Sequence, residues 1–553
     1  MIQRLSGAIV FSCAGTFAAA VMSWWVNPWF MDQPGPYLFV VLVPLLPLGW
    51  WLGPRLGTIR RPWLWALVSA LMFMLSVMRP VPGFTDTQLL VVGIDGATWS
   101  VIDRTQTPNI DRLVAGGTRG TLVAEEPLFS PLLWSTLATG RTPDQHGIRG
   151  VRTRTDEAKV ARFWDVARDA GLSVGLYKWL VTWPPPAEPM PGFTVPAWLA
   201  GDARTHPSDL SWVKELELSR RTHRKKVAAT RALPFILIDG IGDGLRWSTV
   251  WAGLRFSFME RLSPLPPRKK DAFLRRLRLR IDRDVFVSRL HRHNPDVATF
   301  TMYVTDALSH THWSSDDGRH VDGAYRLSDT ILGELIEEVA PNAHILVLSD
   351  HGFRNGGEGH GVHAVVPKID RLKSWLEPKI GAVEIVRVGR QLAITPDVPV
   401  SDDVMRGTFA AVHFEDGTPL YRVEPFPRGV AWNLKVHHVP VETAWAGVML
   451  AGLPLVDLVS PGKAEEGEHD PNGIVVLAGP QVESNVLGKV SQLDLTPTIL
   501  ALLGLPVAEN MTGSSWVPEP VERVSSHDHL APTSSGEQGS TNEERLQKLG
   551  YID

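Results

Sequence analysis

Three runs of apolar, largely β-branched residues each end on a carboxylate. Leu89 to Ile94 runs into Asp95, Val297 to Thr305 into Asp306, and His344 to Ser349 into Asp350, with His351 directly after it. In an open α/β sheet, ligands bind outside the carboxyl ends of the strands, so side chains far apart in sequence converge there. One such Asp is ordinarily a helix N-cap. Three of them, two with a His nearby, point to a shared site. Asp306 and His310 are four residues apart, which sets them on one face if the chain turns helical after Asp306. They can then share one metal ion. Asp350 and His351 are adjacent, so at a strand-to-loop turn they can bind one ion or address two. A mixed carboxylate and imidazole set without thiolate suits zinc or manganese better than calcium, which prefers oxygen alone. Two ions need about seven protein ligands, and these five leave places for a nucleophile and one more His.

The element pattern that would present these residues together is an α/β fold. Its mostly parallel sheet is covered by helices on both faces, with apolar runs separated by helical stretches such as Ala324 to Val339. Hydrophobic residues make up 44% of the 553 and charged residues 21%, so neither a disordered chain nor a wholly membrane-embedded one fits. Lys plus Arg is 55 against 59 Asp plus Glu, which gives no support to binding a nucleic-acid polymer. The one cysteine, Cys13, excludes an intramolecular disulfide, zinc fingers and iron–sulfur sites. Any metal must therefore be held by His and carboxylate.

Two regions depart from that average. Residues 1–80 hold three apolar stretches, Leu5 to Val26, Tyr37 to Gly53 and Pro62 to Met78, each close to the ~20 residues that cross a bilayer. They are expected to form an N-terminal anchor of three transmembrane helices in contact with membrane lipid. Trp24, Trp25, Trp29, Trp50, Trp51, Trp63 and Trp65 lie near the ends, where an indole prefers the lipid–water boundary. A cleaved signal peptide would explain the first stretch alone. The loop with Arg55, Arg60 and Arg61 goes to the cytoplasm by the positive-inside rule, while the loop after the first stretch carries only Asp32. A multi-pass membrane protein with an extracytoplasmic catalytic domain is expected, and a two-span anchor with a cytosolic enzyme is the alternative. Residues 201–300 carry 21 Lys or Arg against 11 Asp or Glu, in clusters Arg220 to Lys226 and Arg268 to Arg283 between apolar segments such as Leu233 to Ile238 and Trp247 to Phe258. This reads as a helical insertion. It is either a solvated amphipathic face or a surface that meets anionic headgroups or guides an anionic substrate. The expected organisation is thus an anchor over 1–80, a catalytic domain over 81–522 with insertions at about 201–290 and 375–460, and a flexible tail over 523–553, where Ser525 to Asn542 is rich in Ser, Gly, Pro and Thr.

Several segments occur in a telling order: Gly93-Ile94-Asp95-Gly96-Ala97-Thr98-Trp99, Thr107-Pro108-Asn109-Ile110, Ser130-Pro131-Leu132-Leu133-Trp134-Ser135-Thr136-Leu137-Ala138-Thr139-Gly140, Pro143-Asp144-Gln145-His146-Gly147-Ile148 and Ser349-Asp350-His351-Gly352. Together they resemble the type I phosphodiesterase and nucleotide pyrophosphatase branch of the alkaline phosphatase superfamily, over about Gln88 to Gly513 with the insertion between. Gly467-Glu468-His469-Asp470-Pro471-Asn472-Gly473, followed by Val475 to Pro480, resembles the family segment bearing the last metal-binding His. Asp494-Leu495-Thr496-Pro497-Thr498 to Leu505-Pro506 resembles the closing helix.

The resemblance implies an alkaline phosphatase-like fold in which Asp95, Ser130, Asp350 and His351 hold one divalent ion while Asp306, His310 and His469 hold the other. The two ions would be zinc, with manganese as the alternative. Ser130 falls on the nucleophile position, often Thr in this branch. A serine hydroxyl is a weak nucleophile until a divalent cation on its oxygen stabilises the alkoxide, so no His base is required. Two ions ~4 Å apart would clamp the attacking and leaving oxygens of an in-line displacement, giving a phosphoserine that water hydrolyses. The family usually has Asn three residues after the nucleophile to hold a phosphoryl oxygen, and here that residue is Leu133. Lys178, in Tyr177-Lys178-Trp179, is the candidate replacement, with an ordinary surface lysine as the plainer reading. His360 and His363 compete with His469 for the last ligand place, and the motif favours His469. His146 and His312 read as structural.

The expected function is a membrane-anchored, metal-dependent phosphodiesterase or phosphohydrolase acting on a phosphate ester, lipid-linked or nucleotide. The alternative is a membrane phosphotransferase that moves phosphoethanolamine or phosphoglycerol from lipid to an envelope acceptor, because the final acceptor is not written in the motifs. A sulfatase needs Cys or Ser, then any residue, Pro, any residue and Arg, and Ser130-Pro131-Leu132-Leu133-Trp134 does not match. A non-catalytic scaffold on the same fold predicts broken ligand positions, yet all of them are filled.

Overall fold

The first apolar run folds as β1 (Leu89–Ile94), buried at every residue in the computed structural model, as a strand covered on both faces must be. The structure describes residues 2–21, 27–33, 47, 50–51, 62–77, 83–148, 154–186, 190–221, 233–355, 362–363, 365–388, 391–425, 432–436, 439–440, 447–461 and 466–532. In chain order, α1 (Ile2–Val21) and α2 (Pro62–Val77) precede β1. After it come β2 (Thr118–Val123), α3 (Ser130–Thr139), β3 (Val174–Tyr177) and β4 (Gly192–Val195). The expected helical insertion contains α4 (Ser211–Arg221), α5 (Leu233–Gly242), α6 (Trp247–Leu262) and α7 (Pro267–His293). Next are β5 (Val297–Met302), α8 (Val304–His312), α9 (Arg319–Ile336), β6 (His344–Leu348) and β7 (Gly352–Asn355). The region of the second expected insertion supplies β8 (Val383–Val388), β9 (Gln391–Pro396), β10 (Tyr421–Pro425) and β11 (Trp432–Val436). The chain closes with β12 (Gly467–Asp470), β13 (Asn472–Ala478), β14 (Asn485–Ser491) and α10 (Leu495–Leu502).

Eight strands form one sheet in the order β14-β2-β13-β6-β1-β5-β3-β4. Only β13 runs against its neighbours, so the sheet is mostly parallel, as its near-continuous apolar strands require. The order matters for chemistry because β1 lies between β5 and β6, parallel to both, with Ile94 opposite Met302 and Gly93 opposite Leu348. Asp95 and Asp350 therefore follow neighbouring strands at one end of the sheet, and Asp306 joins them from the first turn of α8, because the run expected to stay extended to Thr305 leaves β5 at Met302. Leu89 and Val91 join the core built around Leu133, Trp134 and Leu137 of α3, while the alternate residues of β1 face the other way. The strands β8-β9-β11-β10 make a separate antiparallel sheet with its own core of Leu372, Leu376, Leu392, Ile394, Phe409 and Leu434.

The chain divides into two compact units, residues 1–85 with 228–294, and residues 86–227 with 295–553. Most of the basic insertion thus joins the N-terminal segment in one body, a grouping that sequence patterning does not reveal. Within it α1 packs on α2, where Ser69 Oγ donates to the Cys13 carbonyl at 3.0 Å. Residues 27–33 meet the insertion: Asn27 Nδ2 donates to the carbonyls of Ile241 and Leu245 at 2.9 and 2.8 Å, and Trp247 N donates to Phe30 O at 2.8 Å. Among the described residues no helix is long and apolar enough to cross a membrane. The second expected span, Tyr37 to Gly53, lies outside the described residues apart from positions 47, 50 and 51. The expected tail is tied down at its start, since Val524 N donates to Val507 O at 3.1 Å and Asn510 Nδ2 to Ser526 Oγ at 2.9 Å. Composition alone hid those partners, and residues from 533 onward lie outside the described residues.

Candidate metal centre

Each expected ligand is positioned by backbone that the sheet itself fixes. Asp95 follows β1 directly, and its NH donates to Met302 O at 2.9 Å on the neighbouring strand. Asp306 N in turn donates to Asp95 O at 3.1 Å, locking the start of α8 to the end of β1. One helical turn later His310 stacks over Asp306, its Nε2 3.3 Å from Asp306 Oδ1. Asp350 and His351 follow β6. The chain then turns into β7, which pairs antiparallel with β12 and sets His469 opposite Phe353. This brings His469 Nε2 to 3.4 Å from Asp306 Oδ1 and 3.0 Å from His310 Nε2. His351 Nε2 lies 3.6 Å from Asp95 Oδ1, 3.6 Å from Asp350 Oδ2 and 4.0 Å from Asp306 Oδ1. Asp95, Asp350 and His351 form one group with the geometry to hold an ion, and Asp306, His351 and His469 form another.

The imidazole tautomers test whether a cation fits. His351 Nδ1 is 2.9 Å from Gly352 O, and His469 Nδ1 is 3.0 Å from Leu128 O. A carbonyl only accepts, so each Nδ1 carries a proton, and a ring in its neutral, metal-binding form then turns an Nε2 lone pair toward the carboxylates. Lone pairs facing carboxylate oxygens repel unless a cation lies between them. A backbone carbonyl on the far ring nitrogen is also the usual support of a metal-binding His. Asp95 Oδ1 is buried and accepts no hydrogen bond among the described residues, as expected of an oxygen reserved for an ion. The residues present therefore fit divalent cations.

Charge and burial differ across the cluster. The side chains of Asp95, Asp350 and His351 are closed off from solvent, whereas those of Asp306, His310 and His469 are 22 to 27% exposed, so the cluster opens on that side. Burial, with Asp350 and Asp306 close by, pushes the Asp95 carboxyl well above its ordinary pKa. Burial and the charge of Asp306 do the same to Asp350. For Asp306 burial is outweighed by His310 and His469, which hold it well below the usual carboxylate range. Burial, with His469 alongside, pushes His351 down and keeps it neutral, the form that binds a metal.

Ser130 opens α3, with Phe129 as N-cap and Pro131 at a position where its missing NH costs nothing. Its Oγ lies 3.4 Å from His351 Nε2, at the end of a helix whose dipole favours negative charge. One turn further on, the Trp134 indole donates to Asp95 Oδ2 at 3.0 Å and fixes that carboxylate. Sequence reading did not find this contact. Its one signal is Gly93, where a Cβ would come within 2.4 Å of the Trp134 ring, so only glycine lets the indole under β1. Gly96 serves the turn beyond: its φ is +69°, and a Cβ there would meet the Phe353 ring at 2.7 Å.

Lys178 needs correction. It is a buried residue with φ +65°, and its Nζ is ion-paired with Glu217, which also takes Lys214 Nζ at 3.0 Å. A buried ammonium demands a counter-charge, and α4 supplies it, so Lys178 is not a surface lysine and its ammonium is engaged by Glu217. Leu133, at the family's Asn position, is buried in the core. His146 is structural: its Nδ1 accepts from Ile148 N at 3.1 Å and its Nε2 lies 3.2 Å from Thr136 Oγ1. Buried His312 lies against Thr311 Oγ1 at 2.7 Å. His360 lies outside the described residues, and of His363 only the backbone is described.

The family model described as type I phosphodiesterase / nucleotide pyrophosphatase matches residues 89–407, more than half of the chain. The chain belongs to that family. As a type I phosphodiesterase / nucleotide pyrophosphatase family member it is a phosphoric ester hydrolase. The match takes in Asp95, Ser130, Asp306, His310, Asp350 and His351, while His469 lies beyond it. Among solved structures, the murine ectonucleotide pyrophosphatase / phosphodiesterase 5 aligns at 14% identity with a TM-score of 0.45, over 76% of this chain and 95% of that one. The human ectonucleotide pyrophosphatase / phosphodiesterase 5 aligns at 12% identity with a TM-score of 0.44, over 77% and 97%. No curated protein matches the chain.

Proposed function

We propose that this family member is a membrane-anchored phosphodiesterase that binds two divalent cations, zinc in the first instance, and works through a phosphoserine on Ser130. The observation that carries the reading is the meeting of Ser130 Oγ with His351 Nε2 at 3.4 Å, beside the carboxylates of Asp95, Asp350 and Asp306. Asp95, Ser130, Asp350 and His351 would hold one ion and Asp306, His310 and His469 the other. When bound, such ions lower the pKa of the hydroxyl and offset the charge that builds on the phosphoryl oxygens. The chain supplies the rest. Ser130 Oγ forms the new O–P bond as the ester O–P bond breaks, and the hydroxyl proton ends on the departing alcohol. Water then cleaves the phosphoserine and restores the hydroxyl. The N-terminus of α3 favours the negative charge throughout, and the Trp134 indole keeps Asp95 turned toward His351.

Purified protein with zinc or manganese should hydrolyse bis-(p-nitrophenyl) phosphate with kcat/KM about tenfold or more above that for p-nitrophenyl phosphate. Nucleotide pyrophosphates assayed alongside define the leaving group. A preference for the monoester would overturn the diesterase reading. Products in which added glycerol or ethanolamine has taken the phosphoryl group in place of water would move the enzyme to the phosphotransferase class.

The anchor rests on the apolar stretches and tryptophans of residues 1–80 and on the position of Arg55, Arg60 and Arg61. A reporter fused to the C-terminus should be inaccessible from the cytoplasm of intact cells. Labelling of that reporter by a cytoplasmic reagent would overturn the three-span arrangement.

A further inference from the structure

The unit formed by residues 1–85 and 228–294 contains a helix, α6, whose large apolar side chains are covered on one side and exposed on another. On the covered side of α6, Trp247 packs edge-on against Phe30 at 6.1 Å between ring centroids, and Phe256 stacks on Phe273 of α7 at 4.4 Å. On the other side Leu254, Phe258 and Leu262 follow one another at intervals of four, a single row along the helix. With Met259 beside them they are 45, 63, 68 and 50% exposed. Such a continuous apolar row signals a binding surface rather than scattered surface residues.

Three observations favour lipid as what covers it. First, α6 is tied to the point where the N-terminal helix ends. Residue 27 follows the last residue of α1 by six positions, a reach of at most ~21 Å, and Asn27 is hydrogen-bonded to the carbonyls of Ile241 and Leu245 just before α6 begins. Second, α1 and α2 of the same unit expose apolar side chains of their own, among them Phe17, Trp63, Leu67, Leu71 and Met74. Third, exposed Arg255 and Arg261 stand on α6 itself and exposed Arg268 and Lys269 open α7 directly after it, positive charges suited to anionic headgroups. Unlike α2, which is equally long but carries no charged residue, α6 carries Arg255, Glu260 and Arg261, a composition suited to the plane of the headgroups rather than to the hydrocarbon interior.

We infer that the row Leu254, Phe258, Met259 and Leu262 rests in the headgroup layer of the membrane that holds the N-terminal helices, with these basic residues on lipid phosphates. This deepens the anchor reading and rests on it. The insertion is then a second membrane contact, and its apolar face contributes hold that the N-terminal helices do not supply alone.

The test uses the full chain with Cys13→Ala, which leaves no other thiol, and Phe258→Cys or Leu262→Cys labelled with bimane. Each variant is reconstituted into vesicles of phosphatidylcholine and phosphatidylglycerol, and hydrolysis of bis-(p-nitrophenyl) phosphate at the parental rate certifies its fold. Flotation reads the anchor, and quenching reads the row. The expected result is that the chain floats, that bimane at both positions loses fluorescence to a shallow doxyl-labelled lipid, and that iodide in the water quenches it little. A floating chain whose bimane is quenched by iodide and not by doxyl lipid overturns the inference and leaves the anchor standing. A floating chain protected from both quenchers overturns it in favour of a protein cover, either a second copy or residues 37–53. A chain that does not float refutes the anchor itself and the inference with it.

Discussion

Ser130→Ala should lose turnover by a factor on the order of 10³ or more in kcat while keeping most of its bound metal. Asp95 and Asp350 follow β1 and β6 and Asp306 lies in the first turn of α8 after β5, and none of these elements depends on the serine hydroxyl. Six other ligand residues remain, so metal content measured after gel filtration should fall little. Loss of a nucleophile acts in the chemical step, so kcat falls while KM changes little, whereas loss of a binding contact would appear mainly in KM. Ser130→Thr should keep part of the activity, since its hydroxyl occupies the same helix N-terminus. Rapid acid quench during turnover should trap phosphate on Ser130 of the parent and none on the Ala variant. An Ala variant with near-normal kcat would reduce Ser130 to a turn residue before Pro131.

Asp306→Ala and His310→Ala should lower metal stoichiometry and activity together. Asp306 Oδ1 has His310, His469 and His351 within 3.3 to 4.0 Å, so its loss strips a shared negative charge from three imidazoles. Full metal occupancy in both variants, measured by elemental analysis, would refute the ligand assignment. The same carboxylates give the metal-free protein a pH dependence of known sign. Asp95 and Asp350 have folded-state pKa values raised by burial, so their contribution to stability is complete below the unfolded pKa of about 3.9 and is lost as pH rises through the folded values. Asp306, depressed by His310 and His469, works the other way: its contribution is present above the unfolded pKa and disappears as pH falls through the folded value. A bound cation relieves the first penalty and competes with protons for all three groups. Added zinc should therefore raise Tm at neutral pH, and the rise should shrink on acidification through the carboxylate range. In chelator, Asp350→Asn should melt above the parent at neutral pH, and with zinc it should melt below it. The reversal is the diagnostic, because a purely structural Asp350 would give the same ranking in both conditions.

The parts of this site that were legible in sequence are those built by local rules. An apolar run ending in Asp marks the strand end at Asp95 and nearly so at Asp350, whereas the run before Asp306 leaves the strand at Met302 and is helical from Val304. The spacing of four between Asp306 and His310 marks one helix face. His469 has no such local mark. It reaches the cluster through the antiparallel pairing of β12 with β7, across more than a hundred residues, and family resemblance supplied what periodicity could not. The burial of Lys178 was hidden for the same reason, because its partner Glu217 lies on another element. The contact of Asn27 with Ile241 and Leu245 is longer in range still, and nothing in either segment announces the other. The overall α/β pattern survived because burial on both faces of a parallel strand imposes a composition that needs no partner to be recognised.

Trp134 joins the two halves of the reaction. Its indole is bonded to a proposed ion ligand, Asp95, and its backbone lies one turn from the proposed nucleophile, while Gly93 makes the room it occupies. On the proposed reading, a single rigid ring lodged in the core would set the distance between Asp95 and the start of α3, and with it that between ion and attacking oxygen. Loops that select the alcohol can vary without recalibrating that distance. Conversely, a methyl group added at Gly93, remote from any substrate, would act as a wedge that puts both halves out of alignment at once.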